Sequence, residues 1–378
     1  MSDYEAVVLG LGAMGSAALA QLALRGRRVL GIEAFARGHD LGASAGRSRI
    51  IRKAYFEDPA YVPLLERAYE LWRELERASG ACLLDLVGVL MVGDPAGTVL
   101  RGARASGRLH GIALEELDSA ELARRYPALR VRPGEAALFE PEAGAVFPEK
   151  ANAAQLAVAE AAGAELRFET PVASYRSEPD AIVLELAGGD RLRTERLAVC
   201  AGPWLPQLAT ELDVPVRVQR NVQIWFQPDV ADYARGRFPA FFVERAEQPA
   251  ALYGFPDFGE GVKAALHAHG DSTEARALDR SIRPADIEAV RGALDAFMPG
   301  AAGRFASGKA CMYALTPDEH FIIDRHPADA RIVLAGGFSG HGFKFAPVVG
   351  EIVADLMLAG RTRLPIGFLR LDRFSARR

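Results

Sequence analysis

Residues 4–33 restrict the fold more tightly than any other stretch. YEAVVL is a short apolar run of strand type, GLGAMG follows at once, SAALAQLALRG carries a helical pattern, and RRVLGIE reads as a second strand. In that setting each glycine has a task. Gly10 permits the turn, Gly12 lets a pyrophosphate approach the backbone, and Gly15 lets helix pack against strand, with the positive helix end facing the phosphates. Glu33 ends the second strand at the distance expected of an acid that accepts hydrogen bonds from adenosine ribose hydroxyls. GxGxxG alone is also the pattern of an ordinary Gly-rich turn. The two strands, the helix and the acid together predict an α/β fold built on a Rossmann-like dinucleotide-binding domain. They do not choose between NAD and FAD.

Ala6 to Leu24 carries no charge and has about the length of a membrane-spanning helix. Asp3 and Glu5 stand where a signal peptide would be basic, Arg25, Arg27 and Arg28 follow, and three glycines interrupt the run, so strand, turn and helix is the better reading. With 45 basic against 49 acidic residues and no long block of like charge, neither nucleic acid nor an acidic membrane is an expected partner, and the ligand should be small. Cys82, Cys200 and Cys311 are odd in number, far apart and without CxxC spacing. They indicate neither a disulfide framework nor a zinc site, no other metal cluster stands out, and a cytoplasmic protein is expected.

Near the C-terminus, RIVLAGGFSGHGFKFAPVVGEIVADLMLAG reads as a buried strand, a loop with four glycines from Gly336 to Gly342, and a helix with Pro347 near its first turn. Such a loop suits a backbone passing beside something large and flat. The helix N-terminus behind it can stabilise negative charge on a reduced flavin ring, which favours FAD. RLAVCAGPWLPQL looks like another strand returning to the nucleotide sheet. Between these signals, residues 83–144 and 214–311 read as short strands with helices at Ala96–His110 and Ala120–Tyr126. The expected organisation is therefore interdigitated, with 1–82, 145–213 and 312–378 forming the FAD-binding domain and 83–144 with 214–311 a mixed-sheet substrate domain. In YVPLLERAYELWRELERASG, Leu64, Leu65, Ala68, Leu71, Trp72 and Leu75 share one helical face and should be core.

SRIIRKAY at 48–55, YGFPDFG at 253–259, KAALH at 263–267, CMYALTPDEHFIID at 311–324 and GGFSGHGFKF at 336–345 carry a more specific signal. Through them the chain resembles monomeric sarcosine oxidase and its relatives, including N-methyltryptophan oxidase and pipecolate oxidase. The resemblance implies a monomeric FAD-dependent oxidase of secondary amino acids. Such an enzyme transfers hydride to the flavin, releases an imine that water hydrolyses, and reduces dioxygen to hydrogen peroxide.

It also implies roles for single residues. Cys311 would attach FAD covalently through a thioether to the 8α-methyl carbon, with Lys309 able to favour the thiolate if it points inward. Lys263 would stabilise developing superoxide. Arg49 would lie near the flavin face, while Arg52, three residues on and adjacent to it on a turn, would share the substrate carboxylate with Lys344. Tyr253 and His267 match substrate-pocket residues. Met14, Ser44, Val172, Gly340, Gly342 and Lys344 join Gly10, Gly12, Gly15, Glu33, Arg49 and Cys311 as implied cofactor contacts. Two positions depart from the family pattern: Ala45 replaces a histidine and Arg47 an aspartate, which argues against asserting sarcosine as the preferred substrate. Other readings of the same residues are a flavin dehydrogenase with another electron acceptor and a flavin-binding protein without turnover.

Overall fold

The computed structural model describes residues 2–377. Its first strand, Tyr4–Leu9, is flanked in parallel by Val29–Ile32 on one side and Arg191–Val199 on the other. A parallel strand covered on both faces has no polar side to alternate with, which is why AVVL reads as a continuous apolar run. The helix that follows, Ala13–Leu24, is wedged between Pro148–Ala161 and Ala346–Ala359. A Cβ on Gly350 would stand 2.5 Å from the Ala17 carbonyl carbon, so two of these helices meet backbone to backbone. A buried strand joined to a helix buried all round accounts for the uncharged stretch. No helix among the described residues is long and apolar enough to cross a membrane.

The nucleotide sheet has eight strands, gathered from three separated parts of the chain. Arg191–Val199 forks it: its first half pairs antiparallel with Ile182–Leu186, and its second half pairs parallel with Asp329–Gly336. The loop after Asp329–Gly336 is the glycine-rich one, so it leaves the carboxyl end of the sheet beside the Gly10–Gly12 loop, the usual place for a ligand in such sheets.

A second, nine-stranded mixed sheet uses strands from 89–140 and 217–315. Arg304–Leu315 runs antiparallel along the whole of Arg217–Gln227, carries Cys311 opposite Asn221, and continues past residue 311 to Leu315. Beyond it, Thr316 N–H donates to Ser339 Oγ and Ser339 N–H to the Ala314 carbonyl, which ties the end of this strand to the glycine-rich loop. The two sheets thus meet where Cys311–Leu315 and Gly337–Gly342 run side by side.

The expected stripe on Val62–Ser79 is buried as a unit, and the other two helices in question span Thr98–His110 and Ser119–Arg125. One local expectation is corrected. Arg49 and Arg52 do not share a turn, because Arg49–Ile51 is a strand paired with Gly144–Val146. Three steps along an extended chain direct the two side chains to different surroundings.

Candidate active site

A cavity of about 790 Å3 lies between the two sheets. Gly10, Gly12, Met14, Glu33, Ser44 and Val172 line one end, and Arg52, Glu57, Tyr253, His267 and Lys344 line the other. Gly10 has φ +89°, and a Cβ there would sit 2.6 Å from the Cys200 carbonyl oxygen. Gly15 is needed for packing, since its Cβ would fall 1.7 Å from the Gly10 carbonyl oxygen. A Cβ on Gly12 would meet only Ser44 Oγ, at 3.4 Å. The helix behind these glycines has no acid in its first turn, and Ala13 N–H donates to Ser44 Oγ at 3.1 Å.

Glu33 is buried at the same end, accepting from Leu11 N–H at 2.8 Å and Phe35 N–H at 3.2 Å. His39 Nδ1 accepts from Leu41 N–H, which leaves Nε2 as the donor atom, 3.5 Å from Glu33. Burial alone would raise the Glu33 carboxyl; His39 and the Leu11 N–H reverse this and hold it below the usual range. Phe35 and Trp204, rings 5.5 Å apart, add apolar wall, and Asn152 contributes a buried Oδ1 with no partner in the protein. A glycine open to the cavity, free helix N–H groups, an ionised acid with spare lone pairs and an unpartnered amide oxygen together fit a dinucleotide cofactor.

Cys311 is buried beside the cavity, with Ala43, Arg49, Met312 and Tyr313 of the cavity wall as its neighbours. Lys309 does not point inward: its ammonium pairs with Asp40 at 2.9 Å. The cation beside the sulfur is Arg49, whose Nη2 lies 3.7 Å from Sγ and also donates to the Ala45 carbonyl. Arg49 Nη1 reaches Gln223 Oε1 at 3.2 Å. Arg47, with φ +63°, carries its guanidinium to Glu260 at 3.1 Å and over the Trp225 ring at 4.8 Å.

Lys263 is 2% exposed, so it is not a surface lysine. Its Nζ donates to the carbonyls of Gly46 and Ser48, each at 2.6 Å, and lies 5.0 Å from the centre of the Phe255 ring. Burial, assisted by the Arg49 charge, pulls the ammonium well below its ordinary pKa, with Glu149 opposing. Lys263 stands apart from the cavity wall, behind the Gly46–Ser48 turn.

At the far end Arg52 is buried; its Nη2 donates to both carboxylate oxygens of Glu57, each at 2.7 Å, and its Nη1 to the Ala54 carbonyl. Burial would raise Glu57, but Arg52, with His341 and Lys344, brings it to about 2. Lys344 Nζ donates to the His341 carbonyl at 2.7 Å and is lowered to about 7, chiefly by burial and then by Arg52. Tyr253 OH, Tyr313 OH and His267 Nδ1 form a row with 3.5 Å steps, and burial brings His267 to about 4. His341 bonds Tyr55 OH through Nδ1 and the Glu319 carbonyl through Nε2; burial holds it at about 3, hence neutral. The sequence reading missed Glu57, Tyr313, His341, Asn152 and Glu149. Of these, Glu57, Tyr313 and His341 lie inside or next to the quoted motifs, whereas Asn152 and Glu149 have no signal in their own neighbourhood.

Residues 5–356 match the family described as FAD dependent oxidoreductase. Monomeric sarcosine oxidase of Streptomyces avermitilis is 43% identical, with 99% of this chain and 98% of that protein covered. N-methyl-L-tryptophan oxidase of Yersinia pestis is 33% identical over 98% of this chain and 100% of its own. Among solved structures, NikD, described as an unusual amino acid oxidase essential for nikkomycin biosynthesis, superposes with a TM-score of 0.86. It has 23% identity and 98% coverage of both chains, a likeness of fold.

Proposed function

The chain belongs to the FAD-dependent oxidoreductase family, and from that premise we propose that it oxidises secondary amino acids, N-methyl or cyclic, at the carbon attached to nitrogen. FAD, when bound, supplies the two-electron acceptor for that carbon–hydrogen bond. The Gly10–Gly15 loop, Glu33, Ser44, Val172 and Asn152 would hold its dinucleotide part, and the Gly340–Gly342 loop with Arg49 its ring end. Cys311 would carry it through a thioether to the 8α-methyl carbon. The oxidised product is an imine, which water hydrolyses. Lys263 would serve dioxygen, because a cation set in a dry site stabilises negative charge developing there far better than one in water. Hydrogen peroxide would be the second product. Cysteines that form no disulfide among the described residues and the monomeric relative support a single-chain cytoplasmic enzyme, and the two larger sheets support the division into an FAD-binding and a substrate domain.

The observation that carries this reading is the pair of buried cations, Arg52 and Lys344, at the end of a cavity whose other end is a dinucleotide site. A carboxylate is the ligand such a pair selects. Charge-assisted hydrogen bonds are worth roughly 1.5–3 kcal/mol each, so one lost contact should weaken binding by about tenfold to a hundredfold. Sarcosine or a cyclic amino acid should therefore bleach the flavin without air and yield peroxide in air, whereas dimethylamine should do neither. Comparable turnover of dimethylamine would remove the carboxylate clamp. Bleaching without peroxide would instead indicate a dehydrogenase with another acceptor.

A further inference from the structure

We propose that Glu149 is a positioning residue for Lys263, acting through the Gly46–Ser48 turn, and this rests on the dioxygen role given to Lys263 above. The turn is polarised across its width. On one side Gly46 N–H donates to Glu149 Oε1 at 2.7 Å, and Arg47 N–H lies 3.1 Å from both carboxylate oxygens. On the other side the carbonyls of Gly46 and Ser48 receive the Lys263 ammonium, with Ser48 Oγ at 3.3 Å. Converging N–H groups of this kind make a concavity for an anion. Here φ is +138° at Gly46 and +63° at Arg47, a conformation that costs a non-glycine residue energy unless its surroundings enforce it.

Glu149 is what enforces it from the open side, lining the cavity at the first turn of Pro148–Ala161. From beneath, a Cβ on Gly46 would meet Gln223 Oε1 at 2.3 Å and Arg49 Nη1 at 2.5 Å, so the turn has no room to retreat. The strand before Glu149, Gly144–Val146, pairs with Arg49–Ile51, the strand after the turn. One short segment thus grips the other twice, by backbone pairing and by the carboxylate. The charged and ionisable groups acting on Lys263 are Arg49, Arg47, Cys311 and Glu149. Glu149 is the carboxylate among them, so removing it loosens the two carbonyls and takes away a negative charge that opposes the two arginines.

The chain has five lysines, Lys53, Lys150, Lys263, Lys309 and Lys344, so their side-chain carbon resonances can be followed one by one in the holoenzyme, with Lys263→Met assigning its own. In Glu149→Gln and Glu149→Ala the Lys263 resonance should move and titrate at lower pH than in the wild type. Reoxidation of the flavin by dioxygen should slow about tenfold to a hundredfold in Glu149→Ala and less in Glu149→Gln, with reduction by substrate within about twofold. The double variant Glu149→Ala/Lys263→Met should be no slower than Lys263→Met alone. An unmoved Lys263 resonance in folded Glu149→Gln, or additive slowing in the double variant, would overturn the proposal. If Glu149→Ala does not fold, Glu149→Gln still decides through the resonance. Normal reoxidation in Lys263→Met would instead sink the dioxygen role, while the resonance would still decide whether Glu149 places the lysine.

Discussion

Lys344 is a lysine whose charge state is set by burial, and the consequence is a pH dependence of known sign. Brought down to about 7, it is protonated below that pH and neutral above it. A carboxylate held as proposed would bind the protonated form, so affinity should be highest below about pH 7 and fall as pH rises through it. Its neighbours do not blur the effect: His267 at about 4 and His341 at about 3 are neutral throughout, and Glu57 at about 2 is ionised. Titrating the flavin spectrum with a simple carboxylate, which carries no titrating amine, should show about tenfold weaker binding at pH 8.5 than at pH 6. Lys344→Met should bind weakly and without that slope; a flat wild-type profile would remove Lys344 from carboxylate recognition. The sequence made Lys344, Arg52 and Cys311 candidates through motifs, but it left the direction of Lys309 open, because residue spacing does not reveal that Asp40 waits 269 positions away. Glu149 was invisible for the same reason: its partners are more than a hundred residues distant.

At the scale of elements, the strand–loop–helix unit separates folding from binding within one motif. Gly12 has φ −68° and ψ −163°, open to any residue, and a Cβ there meets only Ser44 Oγ, whereas a Cβ on Gly15 would collide with the preceding turn. Gly15→Ala should thus cost about 3 kcal/mol or more through overpacking, lowering Tm by on the order of 5 °C or preventing folding. Gly12→Ala should leave the Tm of the flavin-free protein within about 2 °C, because surroundings that need not shift cost little, and yet impair FAD retention. Melting both variants in a Cys311→Ala background, which allows flavin to be stripped, separates the effects; equal destabilisation would deny Gly12 its cofactor-facing role. Elements with strong periodicity were legible in the chain, as the buried face of Val62–Ser79 shows. Arg49–Ile51 was not, because three residues are too few to display an alternation and its partner strand lies near residue 145.

The two larger sheets of the molecule are joined by the strand Arg304–Leu315 and the glycine-rich loop, with the cavity in the seam. A cofactor in that seam touches both sheets and stabilises the folded state against an unfolded chain that has no such site. For a reversible ligand the gain grows with the logarithm of its concentration. The thioether proposed at Cys311 would change this dependence, since the cofactor would then accompany every molecule whatever the free concentration. Thermal melts should therefore order as follows: flavin-free Cys311→Ala lowest, the same variant rising as FAD is added, and wild-type holoenzyme highest and indifferent to added FAD. Acid precipitation supplies an independent check, with yellow colour kept in the wild-type pellet and lost from Cys311→Ala. A wild-type Tm that climbs with free FAD, or colour released from its pellet, would place Cys311 outside covalent attachment. That outcome would leave the seam as the binding site, because Gly10, Gly12, Glu33 and Asn152 line it independently of the thiol.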